Sequence, residues 1–111
     1  MSGLPGMRIV GLAKIEAYLL SRDHPTGRAK AAFFERFGFS PSDPLAFAMA
    51  LDRHGAMRPV VRTLTNEYGT KHEVRCSLLT PDGRNPCIVT VWLQPRGEAG
   101  FRLITAYPGD R

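Results

Sequence analysis

Lys71-His72-Glu73-Val74-Arg75-Cys76-Ser77-Leu78-Leu79, followed by Thr80-Pro81-Asp82-Gly83, is the stretch on which the fold turns. Side chains here alternate with a period of two. Lys71, Glu73 and Arg75 share one face, and His72, Val74, Cys76 and Leu78 share the other, the signature of a half-buried strand. Proline in the second and glycine in the fourth place of the turn favour type I geometry. A strand that meets a tight turn returns antiparallel. The return strand is Cys87 to Gln94. Its valines and Leu93 are expected to face the core with Cys87, and Ile88, Thr90, Trp92 and Gln94 to face away. Val60 to Thr65 reads as the preceding strand and Phe101 to Tyr107 as the last, stopped by Pro108-Gly109.

Upstream of Gly55 the period changes to that of a helix. Leu12, Ile15, Tyr18 and Leu19 form one apolar stripe, and Ala29, Ala32, Phe33 and Phe37 another, with Gly38 as a stop. His24-Pro25 separates the two, because the residue before proline avoids helical geometry. Asp43 as N-cap with Pro44 in the first turn opens a third helix, expected to end at His54-Gly55. Helices followed by strands define an α+β fold. Two to three N-terminal helices pack on one face of a four-stranded antiparallel β-meander, leaving the other face for a ligand. Residues 1–111 form one domain, with 1–10 as a loosely packed arm.

Composition narrows the function classes. The chain is 43% hydrophobic, which fits a globular domain rather than a disordered one. No apolar run approaches the roughly 20 residues of a membrane helix. The first ten residues lack a signal peptide's pattern, so a cytoplasmic location is expected. Cys76 and Cys87 fall on adjacent strands. They are close enough to bridge, but reduced, buried thiols are the expectation for a cytosolic chain. No metal-ligand spacing and no cofactor motif are present. The net charge is +5, mostly from arginine, which suits nucleic acid or an acidic protein partner.

Asp23-His24-Pro25-Thr26-Gly27-Arg28-Ala29-Lys30 gathers three candidate groups at a helix start. His24 can act as acid or base near neutral pH. Arg28 and Lys30 oppose the helix dipole unless an anion sits there. Arg84, beside the turn glycine, can reach a phosphate. On the strands, Thr90 and Thr105 offer hydroxyls, and Trp92 and Tyr107 offer rings on which a base could stack. Each also has a plain structural role: solvated charge, strand packing or core. His72 reads as a buried structural residue. His54 sits in a last helical turn, where a cation complements the dipole, and has no assigned catalytic role.

Several of these motifs occur together in a recognisable order. Tyr18-Leu19-Leu20, His24-Pro25-x-Gly27-x-x-Lys30-Ala31-x-Phe33-Phe34, Pro81-Asp82-Gly83-Arg84, Thr90-Val91-Trp92 and Thr105-Ala106-Tyr107-Pro108 resemble a widespread uncharacterised family of short bacterial proteins and domains. The order of helices and strands also resembles the barnase–EndoU–colicin–RelE superfamily of small ribonucleases, many of them toxins. Thr90-x-Trp92 is similar to a Ser-x-Trp strand motif of colicin-type tRNA-cleaving toxins. EndoU-type members use two histidines and a lysine; His24 and Lys30 match, and the second histidine has no assigned counterpart. The resemblance implies a metal-independent ribonuclease in which the 2′-hydroxyl attacks the phosphate and leaves a 2′,3′-cyclic product. His24 would do acid–base work, with Lys30, Thr90 and Thr105 around the phosphate. Arg28, Arg84, Trp92 and Tyr107 would hold the RNA. The partners implied are RNA and an acidic antitoxin or immunity-type protein. The alternative is a non-catalytic module that binds RNA or protein.

Overall fold

A computed structural model describes residues 3–11, 15 and 28–109. The expected first helix and His24 lie outside those residues, apart from Ile15, which is buried in the core. The described elements are β1 (Arg8–Ile9), α1 (Arg28–Glu35), α2 (Pro44–Met57), β2 (Val60–Asn66), β3 (Gly69–Ser77), β4 (Cys87–Pro95) and β5 (Phe101–Pro108).

The helix boundaries follow the chemistry of their ends. In α2, Pro44 takes the first position and Asp43 Oδ1 accepts the Ala46 N–H at 3.2 Å, satisfying one of the donors a helix start leaves free. After α1 the chain leaves through Gly38 at φ 104°, a conformation glycine adopts without a Cβ clash.

The meander is present, and each of its strands pairs antiparallel with the next. Among the described residues the sheet nevertheless has five strands, in the order β1-β5-β4-β3-β2. The fifth comes from the segment expected to be a loose arm. Arg8 and Ile9 pair parallel with Phe101 and Arg102. Leu4 is buried, its N–H bonds Gly55 O at 2.8 Å, and Arg8 Nε donates to Asp52 Oδ1 of α2 at 3.0 Å. A two-residue strand is too short to show a period, so nothing in its sequence announces it.

The core lies between the helices and one face of the sheet. Phe34, Phe39 and Phe47 stack at centroid distances of 4.7 Å. They join Leu51, Val74, Leu78, Ile88, Trp92, Leu103 and Ala106. Each large side chain fully buried this way contributes about 1.5–3 kcal/mol. Here the expected facing of β4 is reversed. Ile88, Thr90 and Trp92 point at the helices, and Val89, Val91 and Leu93 lie on the opposite face. Period-two alternation separates two sets of side chains without saying which set goes inside. The deciding contact is with α2. Gly55 passes so close to the Trp92 ring that a Cβ there would stand 2.6 Å from Cζ2. Gly55 therefore lies inside α2 as a packing surface, and the helix continues to Met57.

Cys76 and Cys87 are joined as a disulfide, with Cα atoms 4.2 Å apart, which corrects the expectation of reduced thiols. Their pairing register makes them diagonal neighbours, with Cys76 opposite Ile88 and Cys87 opposite Ser77. No helix among the described residues is long and apolar enough to cross a membrane.

Candidate functional site

Among the described candidates, Thr90 and Trp92 lie apart from Arg84, Thr105 and Tyr107. Thr90 and Trp92 are fully buried beneath α2. That burial corrects the expectation that Trp92 stacks a base and Thr90 binds a phosphate. Their partner is His54, which is 2% exposed. His54 Nε2 lies 2.9 Å from Cys76 O, and Nδ1 lies 2.9 Å from Thr90 Oγ1. A carbonyl oxygen can only accept, so Nε2 carries the proton and Nδ1 accepts from the Thr90 hydroxyl. The same hydroxyl oxygen accepts the Trp92 Nε1–H at 2.8 Å. The bond from the Thr90 hydroxyl to Nδ1 needs a neutral imidazole. Burial pushes the His54 pKa down to about 4 from 6.5, with the nearby Arg58 charge adding to the effect. A cation at a helix end is thus the wrong description of His54. It is a satisfied core histidine that ties α2 to β3 and β4.

Arg84 is engaged on the helix side of the sheet. Its guanidinium lies over the Phe37 ring, 4.5 Å from the centroid. Its Nε donates to Asp82 Oδ2 at 2.6 Å, and its Nη2 donates to Arg36 O. The backbone N–H and side chain of Arg84 together hold the Asp82 carboxyl below its usual range. These bonds close the Thr80–Asn85 turn over the C-terminal end of α1. Arg28 and Lys30 belong to the first turn of the same helix, at about 1.5 Å of rise per residue from the end that Arg84 touches. Their side chains lie outside the described part of the structure.

Thr105 and Tyr107 occupy the face away from the helices, and the strand register shows what shares it. Arg62, Glu73, Val91 and Thr105 form one row across four strands. Arg75, Val89 and Tyr107 form the row on one side of it. Leu64, Lys71, Leu93 and Arg102 form the row on the other, which Ile9 extends. Cross-strand neighbours stand about 4.5–5.5 Å apart at Cβ. Arg62, Lys71 and Arg102 are exposed, and Glu73, Arg75, Thr105 and Tyr107 are half-buried. Glu73 thus lies among four cations, of which Arg102 is itself paired with Glu98 at 3.3 Å, beside a hydroxyl and a phenol. That field attracts polyanions and can hold a phosphate at several points.

The alternation of Lys71, Glu73 and Arg75 is plain in the sequence. Their company is not, because it depends on the register of β3 against β4 and β5. A bulge between Val91 and Trp92 shifts that register. It turns Thr105 toward the face of Val91 and leaves Ala106 in the core. Among the described residues, no group of three or more His, Cys, Asp or Glu side chains converges as a metal site.

Among the described residues, two helices on one face of a five-stranded mixed sheet, with a cationic opposite face that Gly109 meets at Val89 and Arg75, make a small α+β domain. The chain belongs to the family of the domain of unknown function DUF6883, which it matches over residues 7–110. No curated protein matches it. Its fold is similar to that of a chain from the contact-dependent growth inhibition toxin–immunity protein complex of Klebsiella pneumoniae 342. The TM-score is 0.71 at 16% identity, over 92% of this chain and 93% of that one.

Proposed function

We propose that the protein is a toxin-type domain that binds RNA across the cationic sheet face and cleaves it without a metal ion. The observation that carries this reading is the cluster of Glu73 with Arg62, Lys71, Arg75 and Arg102 on one face. The shared fold with a chain of a toxin–immunity complex supports it. RNA brings its own nucleophile. Glu73 takes the 2′-hydroxyl proton, and the freed oxygen attacks phosphorus. Arg62 and Arg75 stabilise the charge on the phosphorane. The 5′-oxygen leaves with a proton, for which His24 is the donor assigned from sequence, with Lys30 beside it. The products are a 2′,3′-cyclic phosphate and a 5′-hydroxyl. Thr105 and Tyr107 add a hydroxyl and a stacking ring on the same face.

The cross-strand placement of Arg62 opposite Glu73 favours a second reading, a face that binds RNA without cutting it. One experiment separates the two. Purified protein is incubated with total RNA in chelator beside Glu73→Gln and His24→Ala. Each substitution is expected to slow cleavage about 10²–10⁴-fold, the usual worth of one acid–base group. RNA binding with no cuts from the unsubstituted protein favours the binding module. No binding and no cleavage rejects both.

A further inference from the structure

The sheet is closed very differently at its two edges. At one edge β1 covers part of β5. At the other, β2 pairs with β3 on its inner side only. Among the described residues, no backbone hydrogen bond reaches the outer side of β2. Six of its seven residues are exposed. Val61 and Leu64 are 52% and 47% exposed, and Tyr68 in the following turn is 73% exposed. Native edges are usually shortened, charged or covered because an open ladder recruits another strand. Here the one irregularity is the register shift between Val60 and Arg62. Beyond it, Arg62 to Asn66 run in unbroken register, long enough to template a partner strand.

We propose that β2 is a docking edge for an acidic protein, which adds a strand antiparallel or parallel to Arg62–Asn66. Backbone bonds would supply affinity and alternate side chains specificity. One side of the added strand meets Arg62 and Leu64, at the rim of the cationic face. The other meets Thr63 and Thr65, whose hydroxyls lie toward His72 and Thr70. Charge decides between occupants. A second copy would bring two chains of +5 together and place two Arg62 side chains on the same side of the joint, which is unfavourable. An acidic strand neutralises Arg62 and faces the neighbouring Lys71. The inference stands on the geometry of the edge and holds whether or not the face beside it cuts RNA.

The test uses an eight-residue peptide that alternates glutamate with valine and threonine. Its controls are a version N-methylated on alternate amides and a version with lysine for glutamate. Amide hydrogen exchange of the full chain is the readout. Protection is expected over Arg62–Asn66 with the acidic peptide, absent with the N-methylated one, and at least about tenfold weaker with the lysine peptide. Arg62→Glu, an exposed substitution, is expected to reverse the preference between the charged peptides. Equal binding of the three peptides overturns the proposal. So does protection confined to Thr105 and Tyr107 on the open face. Concentration-dependent protection of the same β2 amides without peptide would show a second copy as the occupant, and also overturns it.

Discussion

Nδ1 of His54 lies 2.9 Å from Oγ1 of Thr90, which makes a core hydroxyl the donor to a neutral imidazole. The geometry has a direct pH consequence. The folded pKa is about 4 and the ordinary value is 6.5. As pH falls, the unfolded chain takes up the proton first. Stability is therefore complete above about 6.5 and drains away as pH falls toward about 4. The loss attributable to this one group is about 3 kcal/mol. Urea denaturation from pH 7 to pH 4 should show that slope in the unsubstituted protein and a flatter one in His54→Gln. An unchanged slope in the variant would refute the assignment.

Thr90 is both donor and acceptor, so its two isosteric neighbours should separate. Thr90→Val leaves the Trp92 N–H and His54 Nδ1 without a partner, at about 1–3 kcal/mol for each buried group. Thr90→Ser keeps the hydroxyl and loses one methyl, about 1 kcal/mol. Valine should thus be the more damaging substitution in denaturation midpoint, despite matching the shape. Equal losses would count against the hydrogen-bonded chain.

Gly55→Ala sets two effects against each other. Alanine favours the helix over glycine by about 1 kcal/mol. Its Cβ would stand 2.6 Å from Trp92 Cζ2, and overpacking of this kind costs about 1–3 kcal/mol. The net expectation is destabilisation with a shifted tryptophan emission. A stabilised variant would show that α2 can move off the ring.

On the open face, each cation that contacts a phosphate should contribute to the salt dependence of RNA binding. Arg62→Ala and Lys71→Ala are each expected to reduce the slope of log affinity against log salt by about 0.7 for single-stranded RNA. Arg53 is exposed on α2, on the helix side, and Arg53→Ala should leave the slope unchanged. Equal effects at all three positions would point to general charge rather than to this face.

The meander, the Asp43–Pro44 helix start and the Gly38 stop were legible because each rests on local chemistry: alternation, capping and backbone freedom. The site was less so. Thr90 and Trp92 occupy the same strand as Val89 and Val91, and alternation alone could not choose the inner set. The choice depends on Gly55, thirty-odd residues away, which read as a helix stop when taken by itself. The grouping of Glu73 with Thr105 depends in the same way on a bulge in another strand pair. Long-range register places side chains together, and no local pattern encodes it. His24, the first candidate from sequence, lies outside the described residues.

The short parallel pairing of Arg8–Ile9 with β5 has a consequence for assembly. A filament of sheets needs two complementary free edges on every molecule, so that each addition exposes a fresh one. This molecule uses its own N-terminal segment to cover the Phe101–Arg102 part of one of them. With that edge shortened, a strand received at β2 under the docking proposal favours a discrete complex over an extending filament.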